Sequence, residues 1–289
     1  MVKGTYYLLS TLLLLSLVAS TICCASSTAS LLPQSRLRVA TTTSLYDTGL
    51  WGYLEPMFEK KYGIELDIVS AGTGKALEYG RRGDVDIIVV HSKAREEQFI
   101  AQGYGVERVP FAYNYFLIVG IATDPADIKG LSPEEAFKKL MLSGSGSFVS
   151  RGDDSGTHIK EKAIWEKAGY DYEVVQKAGT WYIEGGSGMG ATLMLADEKR
   201  AYTLTDTGTF LAYKGRMGMV PLVDKGDLLL NVYSAIAVNP EKMSETKIEM
   251  ANNLIDFLVS VSVQELIGDY GVEEYGVPLF VPSAGVEPE

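Results

Sequence analysis

The chain has 289 residues, 46% of them hydrophobic, and a formal net charge of −11 at neutral pH. That hydrophobic share supports a packed core and excludes a disordered chain, while the acidic balance argues against a nucleic-acid surface. The only cysteines, Cys23 and Cys24, lie near the start, which excludes a disulfide framework or a thiolate metal site in the body of the protein.

Lys3 precedes an apolar run, Tyr6 to Val18, and then small and polar residues, Ala19 to Ser30. This pattern reads as an export signal, the alternative being a short transmembrane anchor. Cys23 could carry a lipid, although Ser20-Thr21-Ile22 does not form the usual run before a lipidated cysteine. Ala25 to Gln34 reads as a flexible tether. Residues 1–35 are therefore set apart as signal and tether, and the rest is expected to work outside the cytoplasmic membrane, membrane-tethered. About 260 residues remain, enough for one large or two ordinary domains.

In the body, Arg36 to Ala40 predicts a strand and Thr41-Thr42-Thr43-Ser44 a donor-rich turn. A helix with Leu50, Leu54 and Phe58 on one face follows, and Pro56 predicts a kink or two short helices. Ile64 to Val69 is a second strand, Gly72-Thr73-Gly74 a second donor-rich turn, Lys75 to Tyr79 a helix, and Asp86 to Val90 a buried strand. Strand, turn and helix thus alternate, predicting a mostly parallel sheet with helices on its faces. In such sheets ligands sit beyond the carboxyl ends of the strands.

Tyr115 to Gly120 is a further strand, and Pro133 to Leu142 a helix with Ala136, Phe137 and Leu140 inward. Ser150-Arg151-Gly152-Asp153-Asp154-Ser155-Gly156-Thr157 opens a helix, His158 to Lys167. Gly185-Gly186-Ser187-Gly188-Met189-Gly190 opens another, Ala191 to Arg200. Ala201 to Thr205 and Leu228 to Val238 read as strands, and Thr246 to Ile267 as one C-terminal helix packed on the core.

Four donor-rich turns, each opening a helix, are the constellation that carries chemistry. N–H groups at a helix start lack intrahelical partners and carry the positive end of the helix dipole. Hydroxyls, such amides and one guanidinium converging on a point would cage a small oxyanion. Rival readings fit less well. The Gly185–Gly190 segment lacks the strand and acidic partner of a dinucleotide fingerprint, and Gly72-Thr73-Gly74-Lys75 has the wrong spacing for a phosphate loop. Asp154-Ser155-Gly156 beside His158 admits a secreted serine hydrolase with Ser155 as nucleophile, but a base three residues along a helix need not face it. His91 and His158 lack metal-ligand spacing and read as surface residues or residues behind the site; Asp84 and Asp86 read as a solvated turn.

Thr41–Ser44, Gly72–Gly74, Gly83-Asp84-Val85-Asp86, Ser150–Thr157, Gly188–Leu193 and Tyr202–Asp206 occur in the order seen in the tungstate-binding proteins of ABC transporters (the TupA type), which the chain resembles from about Val39 to Val238. The resemblance implies a type II periplasmic-binding-protein fold, α/β throughout. Two domains with mostly parallel sheets, residues 36–117 plus 236–282 and residues 118–235, would surround a ligand cleft. Tyr113–Gly120 and Leu228–Val238 would be the crossings between them. It further implies a non-enzymatic, monomeric receptor that captures tungstate, without cofactor or metal ion, and delivers it to an ABC permease. A molybdate or phosphate receptor is the nearest alternative. Carried over, the ligand-binding residues are Thr42, Thr43, Ser44, Thr73, Ser150, Arg151, Ser155, Gly156, Thr157 and Gly188. Asp153 and Asp154 would orient Arg151 and the loop; an inward carboxylate would instead favour monohydrogen phosphate.

Overall fold

Continuous burial at the end of the first strand and throughout the third marks the centre of the sheet. The computed structural model describes residues 35–288; the export segment, the tether, Cys23 and Cys24 lie outside them. β1 (Ser35–Thr42) pairs in parallel with β2 (Ile64–Ala71) on one side and β3 (Ile87–Val90) on the other. All four residues of β3 are buried, as expected for a strand covered on both faces. β5 (Phe148–Ser150) pairs in parallel with β6 (Tyr182–Glu184) and β7 (Tyr202–Asp206). Two parallel triplets therefore each present their carboxyl ends along one edge.

A long antiparallel pair lies between the triplets: β4 (Val109–Ile121) and β9 (Leu230–Ala237) pair from Val109 opposite Ala235 to Tyr115 opposite Leu230. β9 pairs with β3, and the second half of β4 pairs with β7 and with β8 (Met219–Val223). β10 (Val281–Pro282) joins the first half of β4. The sheet order is β2-β1-β3-β9-β4-β7-β5-β6.

Helices cover both faces, as the strand–turn–helix alternation predicts. Beside the first triplet, α2 (Leu50–Tyr62) packs Leu50, Leu54 and Phe58 into one core, while α3 (Thr73–Arg82) and α4 (Lys93–Ala101) bury Ala76, Leu77 and Phe99 in another. The short α1 (Thr43–Asp47) precedes α2. Beside the second triplet, α5 (Pro133–Ser143) and α6 (Gly156–Lys167) enclose Phe137, Phe148 and Trp165. α8 (Met189–Lys199) and α9 (Thr207–Tyr213) pack Leu193 and Phe210 on the opposite face; α7 (Tyr172–Gln176) lies between α6 and β6. β4 contributes Phe111 to the first set of cores and Phe116 to the second.

Three expectations are corrected. α2 is one helix through Pro56, not two short ones. The carbonyl left without a donor is that of Gly52, which is exposed and so is not desolvated. The C-terminal helix is two, α10 (Ile248–Val259) and α11 (Val261–Asp269), because Ser260 is extended at φ −66° and ψ 145°. There the Gln264 amide donates to the freed Leu258 carbonyl and to that of Phe111. Asp84 is exposed, but Asp86 is fully buried: its carboxylate accepts from the Arg38 amide, Nε and Nη2 and from the Lys247 amide. α4, α7, α9 and β8 carry no sequence signal strong enough to announce them. Among the described residues no helix is long and apolar enough to cross a membrane.

The Arg38 guanidinium and two backbone amides hold the Asp86 carboxyl below its usual range against the opposing effect of burial. Its stabilisation is complete above the ordinary carboxylate pKa and disappears as pH falls through the lowered one. We expect Asp86→Ala to cost about 3 kcal/mol in urea unfolding at neutral pH, by orphaning Arg38. The gap between parent and variant should shrink as pH falls below the carboxylate range.

Candidate anion-binding site

The four donor-rich turns lie at the carboxyl edges of the two parallel triplets. β1 ends in Thr42, whose Oγ1 accepts the Leu45 amide and caps α1. Thr41 accepts from the Trp51 indole at 3.0 Å, which ties the turn to α2. Thr43 is half-buried and Ser44 buried. β2 runs into Gly72, the N-cap of α3, and Thr73 in its first turn is fully buried.

The loop after β5 faces these turns. Arg151 is 3% exposed; its Nε and Nη2 donate to Asp153 Oδ2, and Asp153 Oδ1 accepts the Ser155 amide. Asp154, at φ 58°, is turned outward, where it pairs with Arg95 on α4 at 2.7 Å. Ser155 caps α6 by accepting the His158 amide. Thr157 follows Gly156 in the first turn and is buried. Ser150 is buried behind the loop, its hydroxyl donating to Glu161 at 2.6 Å.

Close approaches join the turns. A Cβ added to Gly72 would lie 3.8 Å from the Ser155 Cα, and one on Gly156 would come within 2.6 Å of the His91 ring. His91 Nε2 is 3.0 Å from Ser44 Oγ, and its Nδ1 is 2.8 Å from Asn231 Oδ1 on β9. Thus His91 touches the first turn, the third turn and the strand between the triplets. The fourth turn joins through backbone bonds, Gly185 N–H to the Ser150 carbonyl and Gly186 N–H to that of Arg151. Gly188 caps α8 but is exposed, and the Thr192 hydroxyl folds back onto the Ser187 and Gly188 carbonyls. These contacts join Ser44 and Gly156 through His91, Gly72 to Ser155, and Ser150 and Arg151 to the fourth turn, while Gly188 is exposed. A cavity of about 590 Å³ opens beside them, between the first turns of α3 and the Asp153–Asp154 loop.

Two hydroxyls decide what this place can do. Thr73 Oγ1 and Thr157 Oγ1 are buried without a hydrogen-bond partner, although buried polar groups are ordinarily paired. Each sits in the first turn of a helix of ten or more residues, beside amides that also lack intrahelical acceptors. Arg151 adds positive potential felt at Asp47, His91 and Asp206. Burial pushes His91 down to about 4, so its imidazole is neutral at physiological pH. The arrangement supplies donors and the Arg151 guanidinium. Asp153 is engaged by Arg151 and the Ser155 amide, Asp154 pairs with Arg95 at the edge of the cavity, and Asp47 on α1 is a further carboxylate within the field of Arg151, pushed up by burial. Among the described residues no cluster of three or more His, Cys, Asp or Glu could hold a metal ion.

Both histidines are buried behind the site rather than on the surface. His158 does not face Ser155: its Nδ1 accepts the Asp154 amide at 2.9 Å, and its Nε2 lies 2.6 Å from the Tyr172 hydroxyl. Sequence reasoning left His91 between the surface and a place behind the site, and missed Asn231 and Glu161. None belongs to a local motif; the first two reach it through β3 and β9, and Glu161 from within α6.

The sequence matches the PBP superfamily domain over residues 27–262. It is 45% identical over 249 residues to the tungstate-binding protein TupA of Peptoclostridium acidaminophilum, covering 85% of each chain. Among solved structures, TupA from Desulfovibrio alaskensis G20 is 40% identical with a TM-score of 0.74, over 86% of this chain and 98% of that one. The tungstate ABC transporter protein of Geobacter sulfurreducens is 45% identical with a TM-score of 0.72, over 81% and 98%. The chain belongs to the PBP superfamily and, within it, to the family of the TupA tungstate-binding proteins.

The orphaned hydroxyls yield a test that needs no ligand. Replacing a buried, unpaired hydroxyl by a methyl removes a desolvated polar group at constant shape. Thr73→Val and Thr157→Val should each stabilise the ligand-free protein by about 1 kcal/mol in urea unfolding. Destabilisation would show that these hydroxyls already have partners.

Proposed function

We propose that this chain is the extracytoplasmic receptor of an ABC transporter, capturing tungstate between residues 36–117 plus 236–282 and residues 118–235 and delivering it to a membrane permease. The observation that carries this reading is the pair of buried, unpartnered hydroxyls, Thr73 and Thr157, on facing helix starts beside Arg151. A tetrahedral dianion would receive both hydroxyls, the first-turn amides of α3 and α6, and the guanidinium. Thr42, Thr43, Ser44, Ser155 and Gly156 complete the cage, with Gly188 at its rim.

Selectivity follows from the donor inventory. Tungstate and molybdate are fully deprotonated at neutral pH and need donors only. Monohydrogen phosphate carries a proton that requires an acceptor. Asp153 is the carboxylate nearest in sequence to Arg151, and both its oxygens are engaged by the Arg151 side chain and the Ser155 amide; Asp154 is turned out to Arg95. At the two loop carboxylates this favours the metal oxyanions. Its relatives' names as tungstate-binding proteins favour tungstate.

The receptor performs no bond chemistry in this reading. The engagement of both His158 ring nitrogens leaves Ser155 without that residue as a base. Capture instead uses binding energy to favour the state in which the facing turns meet around the anion. The protein acts as a monomer, tethered at the membrane through its N-terminal segment.

Arg151→Ala should weaken tungstate binding by about 2–5 kcal/mol in titration calorimetry while the protein still folds, because truncation removes the buried guanidinium from among the donors and leaves the half-buried Asp153 without its cation. Unchanged affinity would remove Arg151 from the site. In a thermal-shift series at equal concentration, tungstate should raise the melting temperature most, molybdate next, and sulfate and phosphate least. Phosphate or sulfate matching tungstate would overturn the tungstate assignment and leave an oxyanion receptor of other selectivity.

A further inference from the structure

Behind the Ser150–Thr157 loop lies a carboxyl group that the anion cage does not use. Glu161 on α6 is 1% exposed. Its Oε1 accepts the Trp165 indole N–H at 3.1 Å and the Tyr182 hydroxyl at 2.6 Å, and its Oε2 accepts the Ser150 hydroxyl at 2.6 Å. Backbone amides fix the direction of these bonds. Gly152 N–H donates to Ser150 Oγ, so the serine's own proton is the one given to Glu161. Asp154 N–H donates to His158 Nδ1, which puts the ring proton on Nε2 facing the Tyr172 hydroxyl, itself 2.9 Å from that of Tyr182. The Gly152 arm of the anion loop is therefore strung to this buried carboxyl, while the Asp154 arm runs through His158 and Tyr172 to Glu184, whose Oε1 accepts the Tyr172 hydroxyl at 2.7 Å.

No cation pairs with this group among the described residues. β5 offers it Ser150, β6 offers Tyr182 and the acidic Glu184, and α7 offers Tyr172. β7 carries the buried Asp206, which bonds Thr209, and α5 turns the apolar Ala136, Phe137, Leu140 and Met141 to this core. On α6 itself, Lys160 is bound to the Leu230 carbonyl, and Lys162 lies over the Tyr172 ring. Burial raises the Glu161 carboxyl to about 7, against three hydrogen bonds that favour its ionised form.

We propose that Glu161 is the positioning residue of the anion loop and takes up a proton from solvent when a dianion binds, switching Ser150 from a donor to Glu161 into a donor to the anion. This rests on the oxyanion-receptor reading. Oε1 already receives two protons, so the incoming proton has only Oε2 to occupy. The 2.6 Å bond to Ser150 then survives by reversing, with Oε2–H donating into Oγ. Ser150 Oγ accepts from Glu161 and from Gly152, and its own proton is released to another acceptor. A dianion held by the loop supplies that acceptor, and its charge disfavours a second negative charge behind the loop. Proton and anion therefore bind with reciprocal positive coupling.

The test is calorimetric titration with sodium tungstate from pH 6 to 8, in buffers of different ionisation enthalpy. A group half ionised at pH 7 that becomes fully protonated in the complex takes up about half a proton per tungstate, and affinity falls about tenfold from pH 6 to pH 8. Glu161→Gln, whose amide would donate permanently to Ser150, should abolish the uptake and bind with a flat pH profile at the parent's acid-side affinity. Asp206→Asn should retain the uptake. Tungstate binding by the parent without proton uptake overturns this proposal alone, as does uptake that persists in Glu161→Gln or vanishes in Asp206→Asn. Absence of tungstate binding overturns the receptor reading with it. Should Glu161→Gln fail to fold, the parent's proton uptake and pH profile still decide.

Discussion

A guanidinium almost wholly withdrawn from water sits at the carboxyl edge of β5, and the site is arranged around the cost of placing it there. An isolated buried cation is expensive. Asp153, two residues on, meets Arg151 with one carboxylate oxygen, and its other oxygen holds the Ser155 amide. One short side chain thus neutralises the cation and fixes the turn into α6. Arg151 remains a source of positive potential for anything held beside it, because its partner is bound to the loop as well as to the charge.

The topology explains why donors from distant parts of the chain share that potential. Parallel strands deliver their following turns to the same edge, and this sheet has two parallel triplets. Between them lies the antiparallel pair β4–β9, so that the edge of one triplet faces that of the other. Asn231 on β9 holds the His91 ring, which touches Ser44 and Gly156. A change in the relation between the triplets must therefore pass through groups that also orient the cage.

The net charge of −11 is compatible with capture of an anion because the two act over different distances. The summed charge shapes the field far from the surface, where salt screens it. Inside the site the relevant quantities are a few amides, hydroxyls and one guanidinium in a place of low dielectric. The buried Glu161 belongs to the same economy of charge, lying behind the donors rather than among them.

The α/β class, the strand–turn–helix alternation and the identity of the donor turns are legible in the sequence, because these depend on local periodicity and on residues clustered within a few positions. Ser155, Gly156 and Thr157 declare a helix start without any help from the rest of the chain. The sequence could not show that Asp86 is a buried ion-pair partner while Asp84 is exposed, since burial depends on Arg38, 48 positions away. Nor could it show that α2 continues through Pro56, which depends on Gly52 facing water, or that His91, Asn231 and Glu161 stand behind the cage. Those residues carry no signature of their own; their roles arise where β3, β9 and α6 pack together. Tertiary structure alone decided them, because the partners of a buried polar group are chosen by packing and not by neighbours in sequence.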